Sequence, residues 1–455
     1  MSHSEEPLRN VVWTQVFPWL IIARVFRIAV SARMLILGAA GMLLMLNYWA
    51  LLATVFTVLE RDRPWLAPAD GCPWLAVDHA VADHWTDQLA RNTAMPNTLA
   101  VRSSDSGTLD TSFFGAWQQL SAPMVAMFAL DTSVSDVAVM LLAAFGSLAI
   151  WAFFGGAMAR IAAVQLTCDE HVGLIAALRF ACQKWLSLFA APLIPACGIV
   201  AAGVPLWVLG LLLRSGAGMF LASLVWPVAL VFGASMALLA LGLLFAWPLM
   251  WATIATEGSD SFDALSRAYA YLFQRPIHYL FYAVVAAFLA WLGWLVVGAV
   301  TSGVVGMAYW SAGWGSGQAV VSAVTPQIGN LEGIGRAGAV IIRFWATAAK
   351  SLGVGFVYGF FWSGIAAVYL LLRRDVDATE MDEIFLEADR SEAESPSTAV
   401  SEPQTPAVMP EEARSDSGTS AAESPKASAD APDTTSAPDA APPASPEETK
   451  GPAAT

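Results

Sequence analysis

Residues 256–276 read TEGSDSFDALSRAYAYLFQRP and lie between two oily runs. Before them, residues 237–255 read ALLALGLLFAWPLMWATIA; after them, residues 278–300 read HYLFYAVVAAFLAWLGWLVVGAV. Each run is about the 20 residues that an α-helix needs to cross a hydrocarbon core. The island between them holds Glu257, Asp260, Asp263, Arg267 and Arg275, and no histidine or cysteine. It is either a joint between two membrane spans or a site built between them.

The rest of the chain supports the membrane reading. Of 455 residues 57% are hydrophobic and 13% charged, with a mean hydropathy of +0.58. Soluble domains carry about 25% charged residues. The pattern predicts an all-α fold, a polytopic membrane helix bundle. Six spans are expected near 34–58, 137–165, 187–213, 222–255, 278–305 and 351–372, within a membrane domain of residues 34–374. The net charge of −14 is mostly a property of the C-terminal tail, where twelve acids and three bases follow Ser391. Nothing in it suggests nucleic-acid binding, which needs a basic surface.

Residues 1–33 form an N-terminal segment in which Arg24, Arg27 and Ser31 share one helical face and Leu20, Ile21, Val25 and Ile28 the other. Two readings fit equally: an interfacial helix with Arg24 and Arg27 on lipid headgroups, or a cytoplasmic extension of the first span. Counting Lys and Arg in short flanks places Arg24, Arg27, Arg33, Arg160, Arg179, Lys184, Arg267, Arg275, Arg373 and Arg374 on one side. Arg214, Arg336, Arg343 and Lys350 fall on the other. The larger set predicts both termini in the cytoplasm. Loop 59–136 is then an outer loop. Tryptophans at span ends, among them Trp49, Trp185, Trp207, Trp251 and Trp310, read as an aromatic belt.

The island has an echo. Cys168–Phe189 reads CDEHVGLIAALRFACQKWLSLF, and an offset of 87 residues sets Glu170 on Glu257, Ala177 on Ala264 and Leu178 on Leu265. A weaker third copy, EGIGRAGAVIIRFW, starts at Glu332 but falls on the outer side of the predicted topology. In the second copy Asp260 is an N-cap, Asp263 suits the positive helix end, Asp263 and Arg267 form an i, i+4 pair, and Pro276 stops the helix or opens the next. Both copies are expected to be amphipathic helices lying along the cytoplasmic face. They would act as joints between spans, and a catalytic reading of their acids lacks a nucleophile.

Other chemistry is thin. Asp78, His79, Asp83 and His84 repeat an Asp-His pair at a spacing of five, one residue off the helical i, i+4 that aligns two metal ligands. They are weak metal candidates in a loop. Cys72, Cys168, Cys182 and Cys197 show no CxxC spacing, and no cofactor motif occurs. Asp, Glu, Lys and Arg are missing from the span centres, which argues against charge-coupled transport. Pro192, Pro195, Pro205, Pro227 and Pro248 interrupt spans three and four and leave room for a solute site. Asn47, within span one, is a candidate interhelical hydrogen-bond donor.

After Arg374 the chain turns acidic. Residues 375–390 are expected to form a short acidic helix with an apolar knot, Ile384, Phe385 and Leu386, suited to docking a partner. Residues 391–455, rich in Pro, Ala and Ser, are expected to be disordered. EGSDSFDALSRAYAYLFQRP between spans, CDEHVGLIAALRF, and RRDVDATEMDEIFLE after the last span together resemble an uncharacterised group of bacterial multi-pass inner-membrane proteins. The resemblance covers most of residues 1–390. It implies a polytopic fold in the inner (cytoplasmic) membrane and carries no catalytic residue. The first expectation is therefore a non-enzymatic scaffold or accessory protein whose partners are the lipid bilayer and a cytoplasmic or membrane protein bound through 375–390. A permease for an uncharged or lipid-like solute is the alternative, and a membrane enzyme with a metal in the outer loop the third.

Overall fold

Four residues, Glu257-Gly258-Ser259-Asp260, end one helix and start the next. Gly258 takes a left-handed conformation, φ 64°, and its N–H closes on the Ile254 carbonyl at 2.9 Å. Glycine enters that conformation without the steric cost of a Cβ, so it is a natural helix stop. Two residues later Asp260 accepts the Asp263 N–H at 3.0 Å and caps the following helix.

The computed structural model describes residues 18–58, 134–317 and 332–378, with isolated positions that include Val81 and Trp117. After a short 3-10 turn, eight α-helices follow: α1 Ile21–Ala29, α2 Ala32–Val58, α3 Val134–Thr167, α4 Leu174–Leu212, α5 Gly216–Glu257, α6 Ser261–Gln274, α7 Pro276–Ser316 and α8 Gly333–Asp377. The described residues contain no strand. Six helices, all but α1 and α6, are long and apolar enough to cross a membrane. The protein is a polytopic helix bundle. Asp78, His79, Asp83, His84, Cys72, Ile384, Phe385, Leu386 and residues 391–455 lie outside the described residues.

Helix α8 is the post of the bundle. Residues 353–372 are buried throughout, and α1, α2, α3, α5, α6 and α7 all pack against it. In a bilayer such burial exchanges lipid for protein, so its gain comes from close packing rather than from leaving water. The closest approach is to α2, where Gly38 and Gly355 face each other. A Cβ on Gly38 would strike the Gly355 carbonyl, and one on Gly355 would strike the Leu35 carbonyl. Around the middle of α8 sits an aromatic core that the sequence did not announce. Trp251 stacks on Trp362 at 4.8 Å, Trp151 on Tyr358 at 4.7 Å, and Trp247 meets both Trp251 and Trp362 edge-on at 5.7 Å. Trp251 is fully buried and is no part of an aromatic belt; Trp207 and Trp310 do stay exposed.

Two of the prolines find their partners in tryptophans, Trp251 and Trp117. Proline lacks an N–H, so the carbonyl four residues before it loses its helical donor. For Pro192 that carbonyl belongs to Leu188, and the Trp251 indole donates to it at 2.8 Å. For Pro248 it belongs to Leu244, and the Trp117 indole donates to it at 3.2 Å. With no water in a hydrocarbon core, freed carbonyls must be satisfied by neighbouring side chains.

Several expectations need correction. The first amphipathic copy is not a separate helix along the membrane: it is the first part of α4, which runs unbroken from Leu174 to Leu212 because nothing between Trp185 and Leu188 interrupts it. In the second copy a proline does the breaking. Arg275, pushed out of the helical region by Pro276, has φ −132° and ψ 55°. Helix α6 is a separate helix, as expected, and doubles back along α5, with the Tyr269 ring against Gly242 and its hydroxyl on the Leu239 carbonyl at 2.8 Å. The last span is far longer than 351–372, which draws Arg336, Arg343 and Lys350 out of a loop and into α8. Asn47 donates to the Leu43 carbonyl of its own helix at 2.7 Å and bridges no helices. Helix α1 buries Ile21, Ile22, Val25 and Ile28 within the protein.

The carbonyl pairing is testable. Trp251→Phe should destabilise the protein by about 1–3 kcal/mol, since it strands a buried acceptor. In a Pro192→Ala background the new alanine N–H should serve Leu188, and the cost of Trp251→Phe should fall by about 1 kcal/mol. Denaturation in detergent measures both, and simple additivity of the two changes would show that the indole does not serve that carbonyl.

Candidate functional site

A linked set of polar side chains gathers at one end of the bundle, around Glu257. This residue closes α5, and its side chain is 12% exposed. One carboxylate oxygen meets the Arg267 guanidinium at 2.7 Å. The other accepts the Tyr369 hydroxyl at 2.6 Å and meets Nε of Arg373 at 3.3 Å. Arg267 in turn holds Asp263 at 3.1 Å. Burial works against the charged Arg267, but the Asp263 hydrogen bond and the charges of Glu257 and Asp263 outweigh it and hold the guanidinium above its ordinary range. Two carboxylates and two guanidiniums thus tie α5, α6 and the last turn of α8 together.

A second set of bonds holds the end of α8 to α6 and α7. Tyr271 of α6 donates to Asp377, and Tyr282 of α7 donates to Asp375 at 2.7 Å. Burial, then the hydrogen bond to Asp377, pushes the Tyr271 hydroxyl above its usual range, so it stays a donor at physiological pH.

The carbonyl end of α5 is negative by its helix dipole and draws cations. Arg160 of α3, 6% exposed, donates to the Ala255 carbonyl at 2.8 Å with its guanidinium 4.8 Å from the centre of the Phe180 ring. Lys184 of α4 donates to the Gly258 carbonyl. Ser261, at the start of α6, donates to the Ser187 carbonyl at 3.0 Å. Further round the same end, Arg24 and Arg27 both reach Asp169 in the α3–α4 turn, at 2.9 and 3.2 Å, and Arg33 donates to the Val172 carbonyl.

The structure thus brings Glu257, Asp260, Asp263 and Arg267 into one arrangement, with Ala264 fully buried beneath and Leu265 half-buried. In the earlier copy Ala177 is fully buried and Leu178 half-buried, whereas Glu170 is exposed and its neighbour Asp169 takes the arginines. Arg24 and Arg27 therefore rest on a carboxylate of this chain. Sequence reasoning missed Arg373, Tyr369, Asp375, Asp377 and Arg160. Their roles depend on helices far apart in the chain, and the one local hint was that Asp375 and Asp377 follow Arg373 and Arg374. Among the described residues no three His, Cys, Asp or Glu side chains gather in a metal-binding group. Both Glu257 oxygens are engaged by partners from other helices, which suits a clasp better than an acid or base in catalysis.

Comparison with protein-family models, with curated proteins and with solved structures finds no match for this chain. The site's chemistry has to be argued from its own geometry.

Removing the clasp carboxylate leaves two guanidiniums facing each other. Glu257→Gln should cost about 2–4 kcal/mol of stability, less than a fully buried pair because Arg267 keeps partial access to water. The measured transition in detergent should fall by several degrees, and an unchanged transition would rule out a holding role for the clasp.

Proposed function

We propose that this chain is a non-enzymatic scaffold or accessory protein of a bacterial inner membrane, with both termini in the cytoplasm, that presents a docking segment to a partner. The observation that carries this reading is the anchoring of α8. Its last turn is held by Glu257, Tyr271 and Tyr282, and the chain runs from there within a few residues to Met381-Asp382-Glu383-Ile384-Phe385-Leu386-Glu387. An apolar knot flanked by acids is the composition of a short recognition helix. Fixing its base lowers the ordering cost of binding.

Orientation rests on the cation count, and the structure adds support by gathering Arg24, Arg27, Arg33, Arg160, Lys184, Arg267 and Arg373 at one end of the bundle. That end is assigned to the cytoplasm. The internal repeat is part of the same reading. Helices α4 and α6 begin 87 residues apart, and both Ala177/Ala264 and Ala181/Ala268 are fully buried pairs at that offset. One ancestral joint, used twice, would place the two turns on the same face.

Two measurements test this. In a mild-detergent pull-down, Ile384→Ala/Phe385→Ala should lose a partner that the wild type retains, and identical partners in both would sink the docking segment. In intact cells a membrane-impermeant thiol reagent should label Cys72 and leave the exposed Cys182 untouched until the membrane is opened. The reverse pattern would invert the topology.

A further inference from the structure

Arg336, Arg343 and Lys350 stand seven residues apart on α8. Seven residues fall about 20° short of two full turns, so the three cations share one face over roughly 21 Å. Burial deepens along the row: Arg336 is exposed, Arg343 half-buried, and Lys350 3% exposed. Thr347 and Ser351 flank Lys350 and are buried, as is Ser302 of α7. The Thr301 hydroxyl lies at the same height, 2.6 Å from where a Cβ on Gly353 would sit. Arg343 and Lys350 each interact with another group of the chain.

The height of this row follows from α8 itself. Between Lys350 and Arg373 the helix has no Asp, Glu, Lys, Arg or His. Those 22 residues measure about 33 Å, close to the thickness of a hydrocarbon core. With Arg373 in the clasp at one boundary, Lys350 marks the opposite boundary, and Arg343 lies about 10 Å beyond it, at headgroup depth. No acid of α7 competes for the row, since α7 has no Asp, Glu, Lys or Arg, and Ile334, Ile341 and Trp345 of α8 are exposed on the helix's other side.

We propose that this face of α8 is a binding site for the phosphate of an anionic phospholipid in the leaflet opposite the clasp. Arg343 supplies a planar fork that fits two phosphate oxygens, Lys350 a point charge beneath it, and Arg336 the outer attraction. Basic pockets among membrane helices recognise lipid headgroups in this way.

Native mass spectrometry of the full-length protein in detergent, offered phosphatidylglycerol or phosphatidylcholine of equal chain length, tests it. The wild type should retain phosphatidylglycerol over phosphatidylcholine by about tenfold or more, two cations near a surface contributing about that much. Arg343→Gln/Lys350→Gln should abolish the preference, Lys350→Arg should keep it, and Arg24→Gln/Arg27→Gln at the other end should leave it intact. Where the double variant does not fold, Arg343→Gln alone carries the test, since its side chain is only half-buried. Equal retention of the two lipids by the wild type, or an unchanged preference in the folded variant, overturns the proposal. Binding of inorganic phosphate without any lipid preference assigns the row to a free anion and overturns it too.

Discussion

One carboxylate, that of Glu257, fixes the ends of three helices, and the packing beyond them depends on it. An ionised group at the edge of an apolar layer is expensive unless its charge is met and its lone pairs are filled. Glu257 meets both conditions with two guanidiniums and a tyrosine hydroxyl taken from α6 and α8. Those partners come from helices that start four and seventy-six residues further on, so the arrangement selects one register of α8 against α5. A slip of one turn on α8 would carry Arg373 and Tyr369 about 5 Å away and would also part Asp375 and Asp377 from their tyrosines. The bridge is weak grounds for stability but strong grounds for a single arrangement.

The second constraint is the backbone itself. A proline in a membrane helix frees a carbonyl where no water can reach, and the chain answers with tryptophan. The answer for Pro192 comes from Trp251, which is also the centre of the aromatic core, so the freed carbonyl of α4 and the packing of α5 on α8 are settled by one side chain. Proline-broken spans raise the prospect of a solute site lined by free carbonyls. Here two of those carbonyls, at Leu188 and Leu244, are already taken by indoles and are unavailable to a solute.

The legible and illegible parts of the sequence divide along the same physical line. Hydropathy located six spans because helix length and apolarity are local properties. Asp260 as a cap and Asp263–Arg267 as a pair were legible for the same reason: each involves residues at most four apart. What stayed hidden was long-range. Trp251 looked like a belt residue because its position near a span end says nothing of Trp362 across the bundle. Lys350 looked like a loop residue because the apolar stretch after it is long enough to be a span alone, and only packing shows that α8 began seventeen residues earlier. Glu257 drew notice as part of a joint, but its hold on Arg373 needs the fold of the intervening chain.

Both polar layers belong to α8, and that limits how the molecule can move. The clasp holds one end and the cation row lies on the other, with an uncharged stretch of membrane thickness between them. Sliding α8 along its axis would have to lift Gly355 off Gly38, where the two backbones touch, and bring a bulkier residue of the same face, Leu352 or Tyr358, to that point of α2. A packed interior resists that displacement because neighbouring side chains have no voids to yield into. The α4–α5 hairpin meets α8 through the tryptophan stack as well as the clasp, so both ends of that contact hold the post in place.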